Sequence, residues 1–319
     1  MTTPAVWPTS VTICEVGPRD GFQMEKEFIP TGKKIAIVNA LSRTGVTEIQ
    51  VTSFMHPKAI PQLADAEAVM AGIDRADGIL YTGLVANARG AERAVQAGVG
   101  RVDIVVSVTD SHSLSNVNMT TDVAMDRVGD ILEITRDAKV PAAIGFATSL
   151  GCPFEGFPPS ERVEGIVRRA VEEYGFKLVM IADTAGMADP ARVRNMMSRL
   201  RKRFPSTTFN LHLHDTRRMG LANLLAGLEA GVTKFDSAIA GLGGCPYAPG
   251  ATGNVATEDV VHMLSQMEIA THIDLDIAMA VGRQVAEAVG HADAAMLRTG
   301  PSTRLLGAFT GAQAKTGGV

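Results

Sequence analysis

Thr207-Thr208-Phe209-Asn210-Leu211-His212-Leu213-His214-Asp215-Thr216 alternates polar and apolar side chains, the pattern of an extended strand. Strand side chains repeat every two residues, so His212 and His214 point to one face. Two imidazoles on one face, at the C-terminal end of a strand, form a pincer for a divalent metal. Taken alone, they also read as two hydrogen-bonded polar residues at a strand end. The metal reading is favoured because an acid-bearing motif near residue 20 and a Cys-Gly loop near residue 245 point to the same place.

Outward from that strand, apolar β-branched runs alternate with helical patterns at a steady pace. The spacing predicts strands at 11–17, 47–53, 80–86, 101–108, 142–148, 177–182, 207–214 and 234–240. Helices are predicted at 31–43, 62–74, 88–97, 121–138, 159–174, 189–203, 218–230 and 256–266. Arg43-Thr44-Gly45, Gln96-Ala97-Gly98, Tyr174-Gly175 and Ala230-Gly231 put glycine at or just past a helix C-cap, a signal for the turn into the next strand. Eight strand–helix pairs in about 250 residues match an α/β fold of the (β/α)₈ TIM-barrel type. A doubly wound open sheet is the alternative, but Gly17-Pro18-Arg19-Asp20-Gly21 lacks the glycine spacing of its nucleotide fingerprint. The stretch 270–298 reads as extra C-terminal helix packed on the barrel. No linker or low-complexity tract intervenes, so 1–305 reads as one catalytic domain and 306–319 as a flexible C-terminal tail.

Composition excludes several classes of function. The chain has 319 residues, 46% hydrophobic and 20% charged, enough for a sizeable core. Its net charge is −4 and its Lys and Arg are scattered, so no nucleic-acid footprint is expected. No apolar run reaches the roughly 18 residues of a membrane span. Met1 to Ser10 shows neither a signal-peptide nor a transit-peptide pattern. Cys14, Cys152 and Cys245 are too few and too far apart for a disulfide framework, which suggests a reducing, cytoplasmic location.

In such a barrel function belongs at the C-terminal ends of the strands, and the chemically loaded residues fall there. Strand 1 runs into Glu15-Val16-Gly17-Pro18-Arg19-Asp20, strand 2 carries Gln50 and Ser53, strand 6 ends in Asp183-Thr184, and strand 8 runs into the loop 241–254. Asp20 is a candidate hard oxygen ligand, and Arg19 a fixed positive charge for a developing oxyanion; a surface turn with a local ion pair is the alternative. One carboxylate and two imidazoles, with water positions left over, suit Mg²⁺ or Mn²⁺ in a Lewis-acid role. Without a cysteine cluster, structural zinc is not expected. The loop 241–254 holds five glycines, which let backbone approach a ligand and let the loop move as a lid. Cys245 within it can be an acid, a base or a nucleophile. Cys14 and Cys152 read as structural. Asp183 is either a cap for the next helix or a base whose pKa burial has raised. His56, His112, His262, His272 and His291 read as ordinary residues.

Three stretches together resemble the 3-hydroxy-3-methylglutaryl-CoA lyase family: Glu15-Val16-Gly17-Pro18-Arg19-Asp20-Gly21-Phe22-Gln23, His212-x-His214-Asp215-Thr216, and Ala240 through Ala248 continuing to Gly253-Asn254-x-Ala256-Thr257-Glu258-Asp259. The resemblance covers roughly residues 10 to 300. The cysteine loop is its most specific part, since isopropylmalate and homocitrate synthases and biotin-dependent carboxyltransferase subunits share the barrel and the HxH pair. It implies a metal-dependent lyase that cleaves 3-hydroxy-3-methylglutaryl-CoA to acetyl-CoA and acetoacetate by retro-Claisen chemistry. By position it implies Asp20, His212, His214 and Asn254 as metal ligands. Arg19 matches the residue that stabilises the enolate oxygen, and Cys245 the catalytic loop cysteine. Asp183 matches an acid implicated in proton transfer, and Glu258 an acid needed for activity in support of the loop. Lys26 and Ser53 lie in stretches that touch the acyl-CoA.

The chain departs from the family at Gln50, where Glu is usual, and at Arg217-Arg218, where Tyr-Gly is common. Both departures are expected near the mouth and bear on the choice of substrate, with Gln50 read as substrate-binding. A lyase for another 3-hydroxyacyl-CoA such as citramalyl-CoA, a condensing acyl-CoA synthase, and a non-catalytic binding protein are the competing readings. A homodimer or higher homo-oligomer is expected.

Overall fold

The computed structural model describes residues 7–244 and 253–301. Cys245 and the tail 306–319 therefore lie outside the described residues. Eight parallel strands, β1 (Thr12–Glu15), β2 (Glu48–Ser53), β3 (Leu80–Val85), β4 (Arg101–Ser107), β5 (Ala142–Ala147), β6 (Leu178–Asp183), β7 (Thr208–Leu213) and β8 (Lys234–Ser237), pair in chain order, and β8 closes on β1. Between them run α1 (Thr31–Leu41), α2 (Ala66–Gly72), α3 (Ala88–Gln96), α4 (Asp110–Val117), α5 (Thr121–Asp126), α6 (Val128–Asp137), α7 (Ser160–Arg168), α8 (Pro190–Arg203) and α9 (Gly220–Glu229). After β8 come α10 (Thr257–Gln266) and two further helices, α11 (Leu275–Val289) and α12 (Ala295–Thr299). This is the expected (β/α)₈ barrel with extra C-terminal helices. Among the described residues no helix is long and apolar enough to cross a membrane.

Several boundaries differ from those the spacing predicts. β1 ends at Glu15 because Gly17–Gly21 winds into a π-helical turn. β8 ends at Ser237 because Ile239–Gly241 forms a 3₁₀ turn in which Ala240 has a φ of 60°. The Glu15 side chain organises both turns: its Oε1 accepts from Gly17 N at 2.7 Å and Ile239 N at 2.9 Å, and its Oε2 from Thr257 Oγ1 at 2.6 Å. The segment 121–138 is two helices that meet at Arg127, and α7 ends in a second π-helical turn, Arg169–Glu173. The spacing gives no sign of α4, whose sequence Asp110-Ser111-His112-Ser113-Leu114-Ser115-Asn116-Val117 has no apolar stripe.

The two faces of each strand do different work. On β7, Phe209, Leu211 and Leu213 are buried in the apolar core under the helices. Gly227 of α9 packs so closely on Leu211 that a Cβ there would displace the end of the Leu211 side chain. The alternate residues Asn210, His212 and His214 point into the barrel. That interior is partly charged. Lys234 on β8 ion-pairs with Glu48 on β2, past the intervening β1. Arg101 on β4 reaches Glu48 Oε2 at 2.9 Å, past β3, and Asp103 Oδ1 at 2.6 Å. All four groups are nearly or fully buried, so each charge needs its partner.

Glu48 is the only one of these four that serves two cations across the barrel. Removing one partner of a buried ion pair costs about 3–5 kcal/mol. Glu48→Ala is expected to lower the unfolding free energy in urea by about that amount. A loss of ~1 kcal/mol or less, the range of an exposed pair, would show that the layer does not need Glu48.

Candidate active site

The end of β7 and the turn after β1 meet at the C-terminal mouth of the barrel. His212 Nε2 and His214 Nε2 face each other at 3.1 Å. Asp20 Oδ2 lies 3.8 Å from the first and 3.5 Å from the second. All three side chains are buried, and their ligand atoms fall within 4.8 Å of one another. Asn254 joins them through the backbone. Residues 253–255 run beside the end of β7, with Asp215 N donating to Gly253 O at 2.9 Å and Val255 N to Leu213 O at 3.1 Å. Asn254 Nδ2 donates to Asp20 Oδ2 at 2.7 Å.

The residues present fit a divalent cation. Two imidazole nitrogens and a carboxylate oxygen converging on one buried point form a donor set for a positive centre. His214 Nδ1 and Asn254 Oδ1 are buried with no hydrogen-bond partner among the described residues. His212 is prepared for metal on its other edge: Nδ1 bonds Asp236 Oδ2 at 3.0 Å, and Asp236 Oδ1 accepts from Asn210 Nδ2 at 2.6 Å. That contact puts the proton on Nδ1 and turns the Nε2 lone pair toward Asp20. Burial pushes the Asp20 carboxyl up, but the Arg19 guanidinium and the two histidines hold it well below the usual carboxylate range. It is a carboxylate at any working pH.

A cavity of about 160 Å³ opens over this cluster. Arg19, Asp20, His212 and His214 form its polar wall, and Leu84, Val105 and Met180 an apolar one. His112 and Thr184 also line it. The sequence reads His112 as an ordinary histidine. It is buried, burial pushes its pKa down, and Ser107 Oγ bonds its Nδ1 at 2.8 Å. The available signal was Ser107 ending β4 on its inward face, five residues before it.

The other candidates spread out. Gln50 is buried inside the barrel rather than at the mouth; its Oε1 accepts from Arg19 Nε at 2.5 Å and its Nε2 donates to Asp103 Oδ2 at 2.7 Å. Ser53 is buried at the end of β2, where its Oγ accepts from Met55 N at 3.3 Å, and Met55 lines the cavity. Lys26 is exposed beyond the turn at 22–24. Asp183 is fully buried, and its two oxygens accept from Met187 N at 2.8 Å and Ala188 N at 3.0 Å. It braces the turn that carries Thr184; the cap of α8 is Asp189, which accepts from Arg192 N at 3.0 Å. Burial raises the Asp183 pKa against those two bonds. Arg217 donates to the Gly186 carbonyl at 2.8 Å, and Arg218 pairs with Asp293 at 2.7 Å. Cys14 and Cys152 are buried free thiols, and burial pushes Cys14 well up.

Glu258 sits at the root of the glycine loop. Both its oxygens lie 3.0 Å from Ala240 N, the residue with left-handed φ. Burial raises its pKa to about 8, and that of Glu15 to about 7.

Two outcomes follow. Asp236→Asn cannot accept from both His212 and Asn210, so metal affinity, read by calorimetric titration with Mn²⁺, is expected to fall about 10–100-fold. Unchanged affinity would remove Asp236 from the metal centre. The second concerns pH. Both buried acids have folded pKa values above the unfolded value of 4.5, so the fold favours their protonated forms. That contribution is full below 4.5 and is lost as pH rises through about 7 for Glu15 and about 8 for Glu258. Stability is expected to fall across that window, and Glu258→Gln, which does not titrate, to flatten its upper part. A variant with the wild-type slope would place the titration elsewhere.

Comparison with known proteins agrees with this geometry. The HMGL-like family pattern matches residues 10–285. The chain is 42% identical over 284 residues to hydroxymethylglutaryl-CoA lyase YngG of Bacillus subtilis (strain 168), covering 89% of this chain and 95% of the relative. It is 39% identical over 282 residues to the cytoplasmic 3-hydroxy-3-methylglutaryl-CoA lyase of Rattus norvegicus, covering 88% and 82%. The structure of an HMG-CoA lyase from Acinetobacter baumannii in complex with coenzyme A and 3-methylmalate has a TM-score of 0.89 at 39% identity, covering 95% of this chain and 98% of that one. The carboxyl transferase domain of Rhizobium etli pyruvate carboxylase shares the fold alone, at 18% identity and a TM-score of 0.65 over 89% of this chain and 47% of that one. On sequence, fold and metal cluster together, the chain belongs to the HMG-CoA lyase family of TIM-barrel acyl-CoA lyases.

Proposed function

We propose that this chain cleaves 3-hydroxy-3-methylglutaryl-CoA to acetyl-CoA and acetoacetate. The observation that carries the reading is the convergence of Asp20, His212 and His214 beside Arg19 at the cavity. Relatives named for that activity match nearly the whole chain.

The reaction is a retro-Claisen scission. The tertiary hydroxyl loses its proton, the bond between the hydroxyl-bearing carbon and the thioester α-carbon breaks, and the released electron pair becomes the thioester enolate. A proton on that α-carbon then gives acetyl-CoA. Asp20, His212 and His214, with Asn254 as a fourth ligand, would hold a divalent ion, which would supply the Lewis acidity that lowers the hydroxyl pKa. Arg19 presents a fixed guanidinium to the enolate oxygen, where charge develops. Gln50 and Asp20 hold two edges of that guanidinium. Leu84, Val105 and Met180 exclude water from the other wall. Glu258 and Glu15 hold the turn from which the glycine loop departs. Cys245 is the residue the sequence nominates for returning the proton to carbon. Asp183 serves here by fixing the turn of Thr184, with one backbone donor on each of its oxygens. Ser53 acts through the placement of Met55, and Lys26 by binding the CoA portion outside the cavity.

The free thiols of Cys14 and Cys152 support a reducing compartment; a cytoplasmic location is our reading, which cell fractionation tests. A homodimer or larger assembly is read by light scattering; a monomer at micromolar concentration would reject it.

The decisive assay follows acetyl-CoA release from a panel of 3-hydroxyacyl-CoA esters. Metal-stripped protein in chelator is expected to be inactive and to recover with Mg²⁺ or Mn²⁺. His212→Ala and His214→Ala are expected to lower kcat about 100-fold or more, since Lewis-acid stabilisation is worth several kcal/mol. Full turnover in chelator, or preference for a different ester, would overturn the assignment.

A further inference from the structure

The glutamine at position 50 has a charged partner behind it. Asp103, on the inner face of β4, is buried and accepts from Arg101 Nε at 2.6 Å and Nη2 at 3.5 Å, Thr82 Oγ1 at 2.7 Å and Gln50 Nε2 at 2.7 Å. A carboxylate paired with Arg101 has no proton to donate, so only the NH₂ end of the Gln50 amide can face it. That fixes the amide's orientation and aims Oε1 at Arg19 Nε, 2.5 Å away. Asp20 takes Arg19 Nη1 on the neighbouring edge. The guanidinium is thus clamped at two edges while Arg19 lines the cavity.

We propose that Asp103 is a positioning residue for the reaction, acting on Arg19 through the amide of Gln50. The inference rests on the role given to Arg19 above. It assigns Gln50 to the orientation of Arg19 rather than to a choice among substrates. The negative charge that a glutamate at 50 would bring sits instead on Asp103 and reaches Arg19 through a neutral, polarised amide. The two positions are interdependent. A glutamate at 50 would set two carboxylates 2.7 Å apart, an arrangement in which both cannot stay ionised. An asparagine at 103 would let the Gln50 amide turn over and present donors to a donor.

The test is a charge exchange. Gln50→Glu and Asp103→Asn are each expected to lower kcat for 3-hydroxy-3-methylglutaryl-CoA about tenfold or more, the scale of one misaligned charged hydrogen bond, with KM within about twofold. The double variant Gln50→Glu/Asp103→Asn restores the pairing, with a carboxylate facing Arg19 and an amide facing Thr82 and Arg101. Its kcat is expected within about threefold of wild type. Independent contributions would instead multiply the two losses, to about a hundredfold, and that result overturns the proposal. Should Asp103→Asn fail to fold, Gln50→Met leaves Asp103 with Arg101 and Thr82 and removes only the relay. An unchanged kcat in Gln50→Met also overturns it.

A second readout needs no turnover. The Arg19 Nε–H resonance, assigned by its loss in Arg19→Lys, is expected to exchange slowly with solvent in wild type and in the double variant, and fast in Gln50→Met. Equal exchange in wild type and Gln50→Met sinks the relay whatever the enzyme cleaves. Failure of wild type to cleave the ester, with the resonance behaving as stated, rejects the function and leaves the clamp in place.

Discussion

Glu48 has to hold two cations inside a closed barrel, and the active site is stacked on that arrangement. Arg101 and Lys234 share it from opposite sides, and Arg101 hands on to Asp103. Asp103 fixes Gln50, Gln50 fixes Arg19, and Arg19 pairs with Asp20. Beside this column, Asn210 and Asp236 carry His212. Each layer presents the next with a charge of known sign at a known edge. Apolar residues of similar volume would fill the same space, often with no loss of stability. What they could not do is aim a guanidinium and an imidazole at one point.

The strand pattern carried the fold because its information is local. Alternation along 207–214 places Asn210, His212 and His214 inside and Phe209, Leu211 and Leu213 outside, and eight such runs leave few ways to close. The strand ends were not legible for the opposite reason. Glu15 ends β1 and shapes the turn after β8 through bonds to Ile239 and Thr257, residues far along the chain whose proximity no local pattern announces. Helix α4 was missed because its inward residue is a histidine held by Ser107, not an apolar side chain with helical spacing.

The site was legible to the same extent. His212 and His214 announce themselves by spacing, and Asp20 by its place after a strand and a Gly-Pro turn. Asn254 carries no such mark. It is read from family resemblance, and its reach to Asp20 depends on the backbone pairing of 253–255 with the end of β7. Gln50, a departure from the family pattern, reads as near the mouth. It lies deeper because it sits in the middle of β2, where its amide meets Asp103 on β4. Asp183 reads from sequence as either a cap or a base. Its oxygens are taken by two backbone donors of a turn that only the folded chain reveals.

The bond between Asn254 and Asp20 joins residues 234 positions apart. During synthesis, the first ligand emerges long before its neighbours exist. A half-made chain has the Asp20 turn but neither the HxH pair nor an enclosed place beside it. The ion can be gripped by the whole set only once β8 has met β1 and residues 253–255 have settled beside β7. An ion that binds this state and not its precursors draws the population toward it in proportion to its free concentration. In a cell poor in divalent ions, the amount of finished enzyme, and not only its rate, would follow the supply of metal.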